Sequence, residues 1–568
     1  MPMQQRSCFF VVFIALLSVL GAPIWADQPA GADPRPESNG QRILPADADV
    51  VEDVVTLTVA SGVAPPFGTA PYSVAELRQA LSRVERQRLS DAGRRLYRRV
   101  LEELDRDVDY RDADGEFRFN AGASLTTEAY YTLRDGNVPY EYGYEERQPI
   151  LSFPLEAWAG DAVYGFIGMD FRKNYPRYDH YEIGDASVDT VNPDPWSNIP
   201  FQLREIGVQF PHRGFLSFGG DHWNLQFGRD ALRWGYGRTG TLFVSDYADY
   251  HDYVRLTGFW DAFSFSTFWL SLESWLRDEE AGPSQSGDVK DLHKSYLAHR
   301  FDFRLFDRIN LSYTEAIVVG RDDLELRFLN PMISYHNWFA NPELTNAIMS
   351  FEAEATLMPG FLGYAAFISD QWSAPVEDGS YTEEEPNAFG YLAGLDWRRA
   401  LGDGFLRASG EWVRTDPWIY IGLHPLVSHT SRRRVQAENS QSTAEVLLDT
   451  PLGYYGGSDF QIYSLLLSYR VPGSFGASIK AETAVKGENT IARLLPPEDE
   501  GDSKRVTPSG KHPQRTNLLS LRGTLDPGAV APVWDRAVKQ AETEFGSELS
   551  FIWMKNQDAS ASSWVFDL

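Results

Sequence analysis

The sequence predicts an all-β fold: a large antiparallel transmembrane β-barrel of about 16–20 strands, with 18 favoured, behind a small N-terminal helical segment. From Phe117 onward, apolar residues alternate with polar or small residues in long runs. A soluble sandwich strand averages about five or six residues, whereas a tilted membrane strand needs about 9–11, and most of these runs reach the second length. The runs are 117–133, 161–173, 262–276, 294–306, 308–319, 360–372, 405–414, 460–471, 475–485 and 548–554.

The connections between these runs fall into two classes. Some are tight turns, such as 159–160 and 472–473, and others are long and often acidic. Short turns at one end and long loops at the other are typical of outer-membrane barrels. We therefore assign residues 111–568 to the barrel, with a last strand that carries Trp564, Phe566 and Leu568 on one face. The long connections are 174–200, 277–293, 373–387, 425–458 and 486–514.

The N-terminal residues predict export. Arg6 precedes a short apolar run, 9–21, and a plausible cleavage site follows Ala26, so residues 1–26 are expected to be a secretory signal peptide. Cys8, the one cysteine of the chain, lies inside that segment, and the mature chain would therefore have no disulfide. Residues 27–71 are rich in Pro, Gly, Ala and Asp and predict a linker or arm, with one possible strand at 54–59.

Residues 72–110 predict a helical segment in the periplasm. Ser73 and Glu76 have the spacing of a capping box, and Ser90 is placed to begin a second helix. The apolar residues that keep helical spacing are Leu77, Leu81 and Val84, then Leu96, Val100 and Leu104.

Charge and composition narrow the function classes. The formal net charge of -28 excludes a nucleic-acid-binding surface, which has to be basic. Aromatic residues make up 14% of the chain, which suits a surface that faces lipid or sugar. Acidic loops are compatible with divalent cations as partners. No cofactor or metal motif is present: the sequence lacks H-E-x-x-H and any cysteine-based metal spacing.

The segment FGRDALRWGYGRTGTLFVSD, residues 227–246, combines glycines, arginines and aspartates with hardly an apolar face. It lacks the Lys-Ser/Thr of a phosphate-binding loop, and its glycines run into a strand rather than a helix. We expect this segment to line or constrict a barrel lumen, because glycine permits close backbone approach and Arg and Asp can pair there. Arg229, Arg233 or Arg238 would then bond to carboxylates such as Asp230 or Asp246.

This segment, followed by YVRL at 253–256, resembles the signature of the Wzi-type capsule-assembly family of outer-membrane barrels. The stretch LRFLNPMISYHNWF, residues 326–339, is similar to a second recurring stretch of that family. The resemblance implies an outer-membrane lectin that binds or anchors surface polysaccharide and catalyses no reaction. The implied partners are that polysaccharide and outer-membrane lipid.

Sugars are held by aromatic faces that stack on their rings and by planar polar groups that bond their hydroxyls. The alternative for the aromatic residues is a lipid-facing girdle, and for the charged residues a salt-bridge network that supports the barrel. The candidate stacking residues are Trp234, Tyr236, Tyr335 and Trp338, with Tyr247, Tyr250 and Tyr253 beside them. The candidate polar contacts are Arg229, Arg233, Arg238, Asp246, Asn330 and Asn337, with Asp249 beside them.

Two other functions stay open. A porin or solute channel would share the barrel, with lumen loops that set its solute preference. A lipid hydrolase would need a Ser and a His within hydrogen-bond reach on the outer wall, and no G-x-S-x-G or comparable motif accompanies the available histidines. Those histidines include His212, His222, His251, His299 and His336.

Overall fold

The structure is a computed structural model, and the part of the chain that it describes begins at residue 40. The predicted signal peptide, the acidic loop 373–387, and residues Asp249, Asn337 and Trp338 lie outside the described residues. The described residues are 40–106, 110–112, 116–129, 148–172, 181–183, 186–188, 197–200, 206, 211–248, 250–276, 280, 292–321, 326–330, 332–336, 344–371, 388–438, 443–491, 506–525, 545–555 and 563–567.

Three α-helices form the N-terminal part of the described chain: α1 (Asp49–Ser61), α2 (Val74–Ser82) and α3 (Asp91–Leu104). The predicted capping box is confirmed, because the Ser73 side chain accepts from the Glu76 N–H and Glu76 accepts from the Ser73 N–H. Ser90 caps α3 through the Gly93 N–H. The apolar faces of all three helices share one core.

Helix α1 corrects the prediction of a linker with a strand at 54–59. Its sequence, DVVEDVVTLTVAS, is rich in β-branched residues, which favour strands. Tertiary packing overrides that preference, since the valines on one face pack against α2 and α3. On another face, Val55 and Val59 contact the barrel residue Leu362. The helix ends at Gly62, whose left-handed backbone (φ 89°) suits glycine.

The strands, in chain order, are β1 (Ile43–Leu44), β2 (Thr69–Ala70), β3 (Tyr72–Ser73), β4 (Tyr110–Arg111), β5 (Phe117–Ala121), β6 (Ser124–Leu125), β7 (Leu151–Ala159), β8 (Val163–Phe171), β9 (Tyr181–Ile183), β10 (Ala186–Val188), β11 (Arg213–Gly220), β12 (Trp223–Asp230), β13 (Arg233–Trp234), β14 (His251–Phe259), β15 (Phe263–Leu272), β16 (His293–Leu305), β17 (Ile309–Arg321), β18 (Thr345–Met358), β19 (Phe361–Gln371), β20 (Ala388–Leu401), β21 (Gly404–Thr415), β22 (Thr430–Glu438), β23 (Thr443–Pro451), β24 (Phe460–Val471), β25 (Phe475–Lys486), β26 (Gln514–Leu525), β27 (Phe545–Lys555) and β28 (Ser563–Asp567).

Most of these strands close one antiparallel barrel, in the order β11, β12, β14 to β21, β24 to β28, β4 to β8 and back to β11. Strands β5 and β6 pair with β7 in one continuous register, so they form a single strand interrupted at 122–123. Counted this way, the wall has nineteen strands among the described residues, within the predicted range. The predicted all-β barrel is confirmed. None of the described helices is long and apolar enough to span a membrane.

The two ends of the barrel differ as the sequence predicts. Turns of two or three residues join strand pairs at one end, which we name the short-turn end. The connections at the opposite end, which we name the long-loop end, include those from β12 to β14 and from β21 to β24. The short turns are 160–162, 221–222, 260–262, 306–308, 359–360, 402–403 and 472–474.

The outer wall carries apolar side chains that alternate with inward-facing polar ones. On β24, for example, Leu465 and Leu467 are exposed while Ser464 faces the interior and is buried. A row of aromatic rings crosses neighbouring strands, with Tyr313 and Phe351 5.1 Å apart between centroids and Phe367 5.5 Å from Tyr391. Apolar walls with aromatic rows are the surface that a barrel presents to lipid.

Inserted chain fills the half of the lumen nearer the long-loop end. Residues 232–244 come from the connection between β12 and β14, and residues 418–421 and 452–454 come from the connection between β21 and β24. Their apolar side chains form one buried cluster with inward-facing residues of β14 to β21 and β24. We name these three segments the lumen plug.

The helices α1 to α3 cover the short-turn end. The Gly360 N–H donates to the Val59 carbonyl (2.8 Å), and Arg95 on α3 pairs with Asp403 (2.6 Å). Residues after α1 then enter the lumen, where Arg304 donates to the Pro65 carbonyl (2.9 Å). Chain therefore enters the barrel from both ends.

One carboxylate of α1 joins the helices to the barrel wall. Glu52 forms ion pairs with Arg398 (2.8 Å) and Arg407 (3.0 Å), which project into the lumen from β20 and β21. Burial raises the pKa of the Glu52 carboxyl, but the charges of Arg398 and Arg407 outweigh burial and hold that pKa below its ordinary value. Glu52 is 38% exposed, so solvent screening keeps the stabilisation modest.

We predict that acid weakens the attachment of the helices to the barrel. A carboxyl with a lowered folded pKa stabilises the fold fully above its unfolded pKa of about 4.3, and this contribution is lost as the pH falls through the lower folded value. Glu52→Gln should lower the thermal midpoint of the helical circular dichroism at neutral pH and reduce its dependence on pH below about 4.

Glu85→Gln is the matched control, because Glu85 pairs with Arg88 on the exposed surface of the same segment (2.8 Å). It should leave both the midpoint and its pH profile unchanged. A Glu52→Gln protein with the pH profile of the unmodified protein would contradict the prediction.

Candidate functional site

The glycine-rich segment enters the lumen directly after β12. Its strand β13 pairs with β2 of the N-terminal region, and the Gly235 N–H donates to the Gly68 carbonyl (2.9 Å). A Cβ on Gly68 would lie 2.7 Å from the Gly235 carbonyl oxygen, and a Cβ on Gly237 would collide with the Gly240 carbonyl. The glycines are needed for these close backbone approaches rather than for holding a phosphate.

Arg238 fixes the tip of this segment to the barrel wall. Its guanidinium pairs with Glu354 on β18 (2.7 Å) and lies 3.8 Å from Asp396 on β20. Its backbone N–H donates to Glu411 on β21 (2.6 Å), which also accepts from the Thr239 N–H (3.0 Å). Both acidic partners of the guanidinium are buried. Arg238 is therefore held by three neighbouring parts of the wall.

A second buried network surrounds Tyr236. Its backbone N–H donates to Glu352 (3.2 Å), and its hydroxyl lies 2.7 Å from Ser312 Oγ. Arg300 joins this network by pairing with Asp302 and Glu352, both at 2.9 Å. Burial raises the pKa of the Tyr236 hydroxyl well above its ordinary value, so it remains a neutral hydrogen-bonding group.

Arg229 and Arg233 pair with carboxylates that are less buried than those of Arg238. Arg229 makes a bidentate pair with Asp252, with both contacts at 2.7 Å, and its guanidinium stacks 4.1 Å from the Tyr250 ring centroid. Arg233 donates to the Gly237 carbonyl (2.6 Å) and lies 3.5 Å from Asp246. The predicted pairing of these arginines with carboxylates is present, although Arg229 and Arg238 use partners other than Asp230 and Asp246.

Two of the predicted stacking residues are packed inside the lumen plug. Trp234 is fully buried, with its ring 4.5 Å from that of Phe268, and Tyr236 is buried in the same cluster. Neither ring offers a free face to a ligand. This burial argues against their predicted stacking on sugar, since the apolar residues of 232–244 fill the lumen.

The predicted residues Asn330 and Tyr335 lie in a different place. Tyr335 stacks on His299, with 4.9 Å between ring centroids, and packs with Leu297 and Ile317, which point away from the lumen. Residues 326–330 and 332–336 thus cover the outer wall of the barrel. The two stretches that predicted one site are separated by the wall, and Asn337 and Trp338 lie outside the described residues.

A polar cavity of about 390 Å³ remains between the lumen plug and the wall formed by β21, β24 and β25. The rings of Tyr247 and Tyr455 lie 5.9 Å apart beside it. Its lining combines cationic, acidic, hydroxyl and aromatic side chains, and contains no His or Cys among the described residues. The lining residues are Arg238, Thr239, Tyr247, Arg407, Ser409, Glu411, Tyr455, Ser464, Leu466, Lys480 and Glu482.

Sequence reasoning identified Arg238 and Tyr247 in this lining and missed the rest. Lys480 and Glu482 are two residues apart on β25, so both face the lumen. Lys480 Nζ lies 3.0 Å from Glu482 Oε1. The period-two pattern of β25 shows that they share one face, but no local signal pairs that face with the tip of the lumen plug.

The chemistry of this cavity suits a hydroxyl-rich ligand. Tyrosine faces can stack on the C–H faces of a sugar ring, and charged and hydroxyl groups can bond its oxygens. Among the described residues, no group of three or more His, Cys, Asp or Glu could hold a metal ion. The volume lies within the roughly 300–1,000 Å³ range of small-ligand sites.

Comparison with known proteins gives a family and a fold. The sequence model of the family described as "Capsule assembly protein Wzi" matches residues 208–526. Among solved structures, the Escherichia coli outer-membrane protein Wzi, described as a carbohydrate-binding β-barrel involved in group 1 capsule assembly, is 13% identical, with a TM-score of 0.54 over 93% of this chain and 99% of that one. At this identity the likeness establishes the barrel fold.

Two other solved barrels are similar at lower scores. Pseudomonas aeruginosa OccK3 is 8% identical, with a TM-score of 0.32 over 79% of this chain and 93% of that one. Vibrio cholerae OmpT is 8% identical, with a TM-score of 0.31 over 81% of this chain and 98% of that one. No curated protein matches the sequence.

We predict that Arg238→Ala destabilises the barrel. It leaves the buried carboxylate of Glu354 without its cationic partner, and breaking a buried ion pair costs about 3–5 kcal/mol. The measurement is the thermal midpoint of unfolding in detergent, read from heat-modifiable migration on gels. Arg229→Ala is the control, since its pair with Asp252 is more exposed and contributes about 1 kcal/mol or less. Equal shifts for the two variants would contradict the buried network.

Proposed function

The chain belongs to the capsule assembly protein Wzi family, and on that premise we propose that it is a non-catalytic outer-membrane barrel that binds or anchors surface polysaccharide. The observation that carries the proposal is the polar cavity between the lumen plug and the wall, with tyrosine rings, charges and hydroxyls around it. The E. coli relative of the same fold is described as carbohydrate-binding, which supports the ligand class.

The barrel resides in the outer membrane, with its short-turn end toward the periplasm. Short periplasmic turns and long outer loops are the rule for such barrels. The helices α1 to α3 then lie in the periplasm, and the cavity lies beside chain that enters from the cell surface. Residues 1–26 would direct export as a cleaved signal peptide.

In the cavity, each group has a defined role toward a sugar. Tyr247 and Tyr455 supply stacking faces, while Lys480 and Arg407 donate to hydroxyl or carboxylate oxygens. Glu482 accepts from sugar hydroxyls. Arg238 and Glu411 act as positioning residues, because they bond to each other and to the wall and thereby shape the cavity.

The proposal assigns no chemistry on the sugar. The described lining of the cavity lacks a His or Cys that would serve as general base or nucleophile. Of its two carboxylates, Glu411 accepts from Tyr364 (2.8 Å) and from the backbone N–H groups of Arg238 and Thr239, which leaves Glu482 to accept from sugar hydroxyls. The proposal therefore assigns retention of polymer rather than its cleavage.

The lumen plug also argues against the porin alternative. A porin needs a continuous water-filled path, whereas here buried apolar residues from inserted chain pack against the wall. We predict that the purified protein in planar bilayers shows a conductance far below that of an open barrel of similar strand number. Steady large conductance without glycan binding would contradict the proposal and favour a channel.

We predict that Tyr247→Ala combined with Tyr455→Ala weakens binding to surface polysaccharide. At about 1 kcal/mol for each ring, the double variant should bind roughly 30-fold more weakly. The measurement is the affinity for oligosaccharide fragments of the polymer by calorimetry, with heat-modifiable migration as the test of folding. Tyr463→Ala is the matched control, because Tyr463 is exposed on the outer face of β24. Unchanged affinity in the folded double variant would remove the cavity from the binding site.

A further inference from the structure

A buried polar cluster lies on the outer wall of the barrel, outside the lumen. On β16, Arg300 and Asp302 face the interior. His299, which lies between Ala298 and Arg300 in the sequence, therefore faces outward. On β17, Glu315 stands directly opposite His299 in the strand register, and His299 Nε2 lies 3.3 Å from Glu315 Oε2. Both side chains are nonetheless buried. Something other than the wall must cover them.

The cover is formed by residues 326–330 and 332–336, which we name the clasp. The His336 N–H donates to Glu315 Oε1 (2.8 Å), and His336 Nδ1 lies 2.7 Å from the same oxygen. Ser334 Oγ donates to it as well (3.3 Å). Phe328 and Tyr335 of the clasp pack on the outward side chains of β16 and β17. Glu315 thus anchors a strip of chain to the outside of the barrel.

The position of the clasp along the barrel axis can be compared with that of the aromatic row on the outer wall. Tyr313 and Phe351 belong to that row, and barrels place such rows at the boundary between acyl chains and headgroups. Glu315 lies two residues beyond Tyr313 toward the long-loop end, which is roughly 7 Å along the strand. The clasp therefore begins at the aromatic row and lies on its long-loop side.

The outer face of the clasp is apolar. Leu326, Leu329 and Met332 are 82%, 44% and 73% exposed, while Phe328 beside them is buried against the wall. Ser334 and His336 of the clasp thus bond Glu315, whereas Leu326, Leu329 and Met332 face outward together with the exposed Asn330. This is the reverse of what a loop in water presents, and exposed apolar patches mark contacts with a membrane or a partner.

We propose that the clasp is a lipid-contacting element, in which Leu326, Leu329 and Met332 contact lipid of the outer leaflet at the boundary between acyl chains and headgroups. The inference rests on the outer-membrane location proposed above. The clasp packs on outward residues of β17 and β18, the strands that carry Tyr313 and Phe351 of the aromatic row, and this favours lipid. A second protein copy would need an interface of about 1,000 Å² or more, which three side chains do not provide.

The second sequence stretch for which sugar binding was predicted, which begins at Leu326, has a separate role in this proposal. Asn330 and Tyr335 belong to the clasp, where the Tyr335 hydroxyl donates to the Phe328 carbonyl (3.0 Å) and the Asn330 side chain accepts from the Met332 N–H (3.1 Å). Both act as positioning residues that hold the clasp in shape. The clasp would fix the height of the barrel in the membrane from its outer surface. The lumen plug fills the lumen from inside.

The test is the solvent exposure of nitroxide labels on the full-length protein in phosphatidylcholine vesicles. Single cysteines replace Leu326, Met332, Phe351 or Asp403 in a Cys8→Ser background, and collisions with oxygen and with a water-soluble nickel chelate are compared. Phe351→Cys is the lipid control on the aromatic row, and Asp403→Cys is the water control on an exposed short turn. We expect positions 326 and 332 to match position 351, with an oxygen-to-nickel ratio severalfold above that of position 403.

The outcomes separate the two proposals. If position 351 reports lipid while 326 and 332 report water, the clasp proposal is overturned and the outer-membrane location stands. If position 351 also reports water, the membrane location itself is wrong. If labels at 326 and 332 are shielded from both reagents, a second protein copy covers the clasp, and lipid is not its occupant.

A second variant tests how the clasp is held. Glu315→Ala removes the common acceptor of His336 and Ser334, so the label at position 332 should become more mobile and more accessible to nickel. Glu354→Ala, inside the lumen, should leave the spectrum of that label unchanged if the protein folds. An immobile label in the Glu315→Ala protein would overturn the role assigned to Glu315.

Discussion

Buried charge inside the barrel has to be paired, and this requirement determines how the lumen is filled. The inward faces of β16 to β21 carry Arg300, Glu354, Asp396 and Arg398, which cannot remain isolated in a water-poor interior. Arg238 at the tip of the lumen plug and Glu52 on helix α1 complete these networks from opposite ends. The wall charges therefore fix the positions of the tip of the lumen plug and of helix α1. The cavity exists because the lumen plug is held against only part of the wall.

The same strands serve two environments. Along β17, Ser312 bonds Tyr236 of the lumen plug, while Glu315, on the other face, bonds His336 of the clasp. A period of two residues thus places a buried polar contact on each side of one wall. The structure assigns the two family-like sequence stretches to these two sides, one to the lumen and one to the outer surface. The proposed polysaccharide site and the proposed membrane contact therefore lie on opposite sides of the wall, and we expect mutation to alter them separately.

Much of the fold could be predicted from the sequence because its signals are local. Alternation from Phe117 onward and the two classes of connection predicted the barrel, and Ser73 with Glu76 predicted the start of α2. Helix α1 was missed because its valines favour a strand unless a partner surface is known. The site was only partly predictable. Trp234 is a plausible sugar platform in sequence, yet its neighbours in space are Phe243 and Phe268, and Phe268 comes from the wall. Lys480 lines the same cavity as Arg238, although the two residues are more than two hundred positions apart in the sequence.

The most direct test is a crystal structure of the protein with oligosaccharide repeats released from the surface polymer of its own cell. The account predicts sugar rings in the cavity between the lumen plug and the wall, stacked on Tyr247 or Tyr455 and bonded by Lys480. Saturating oligosaccharide with an empty cavity, or with sugar bound solely at outer loops, would contradict it.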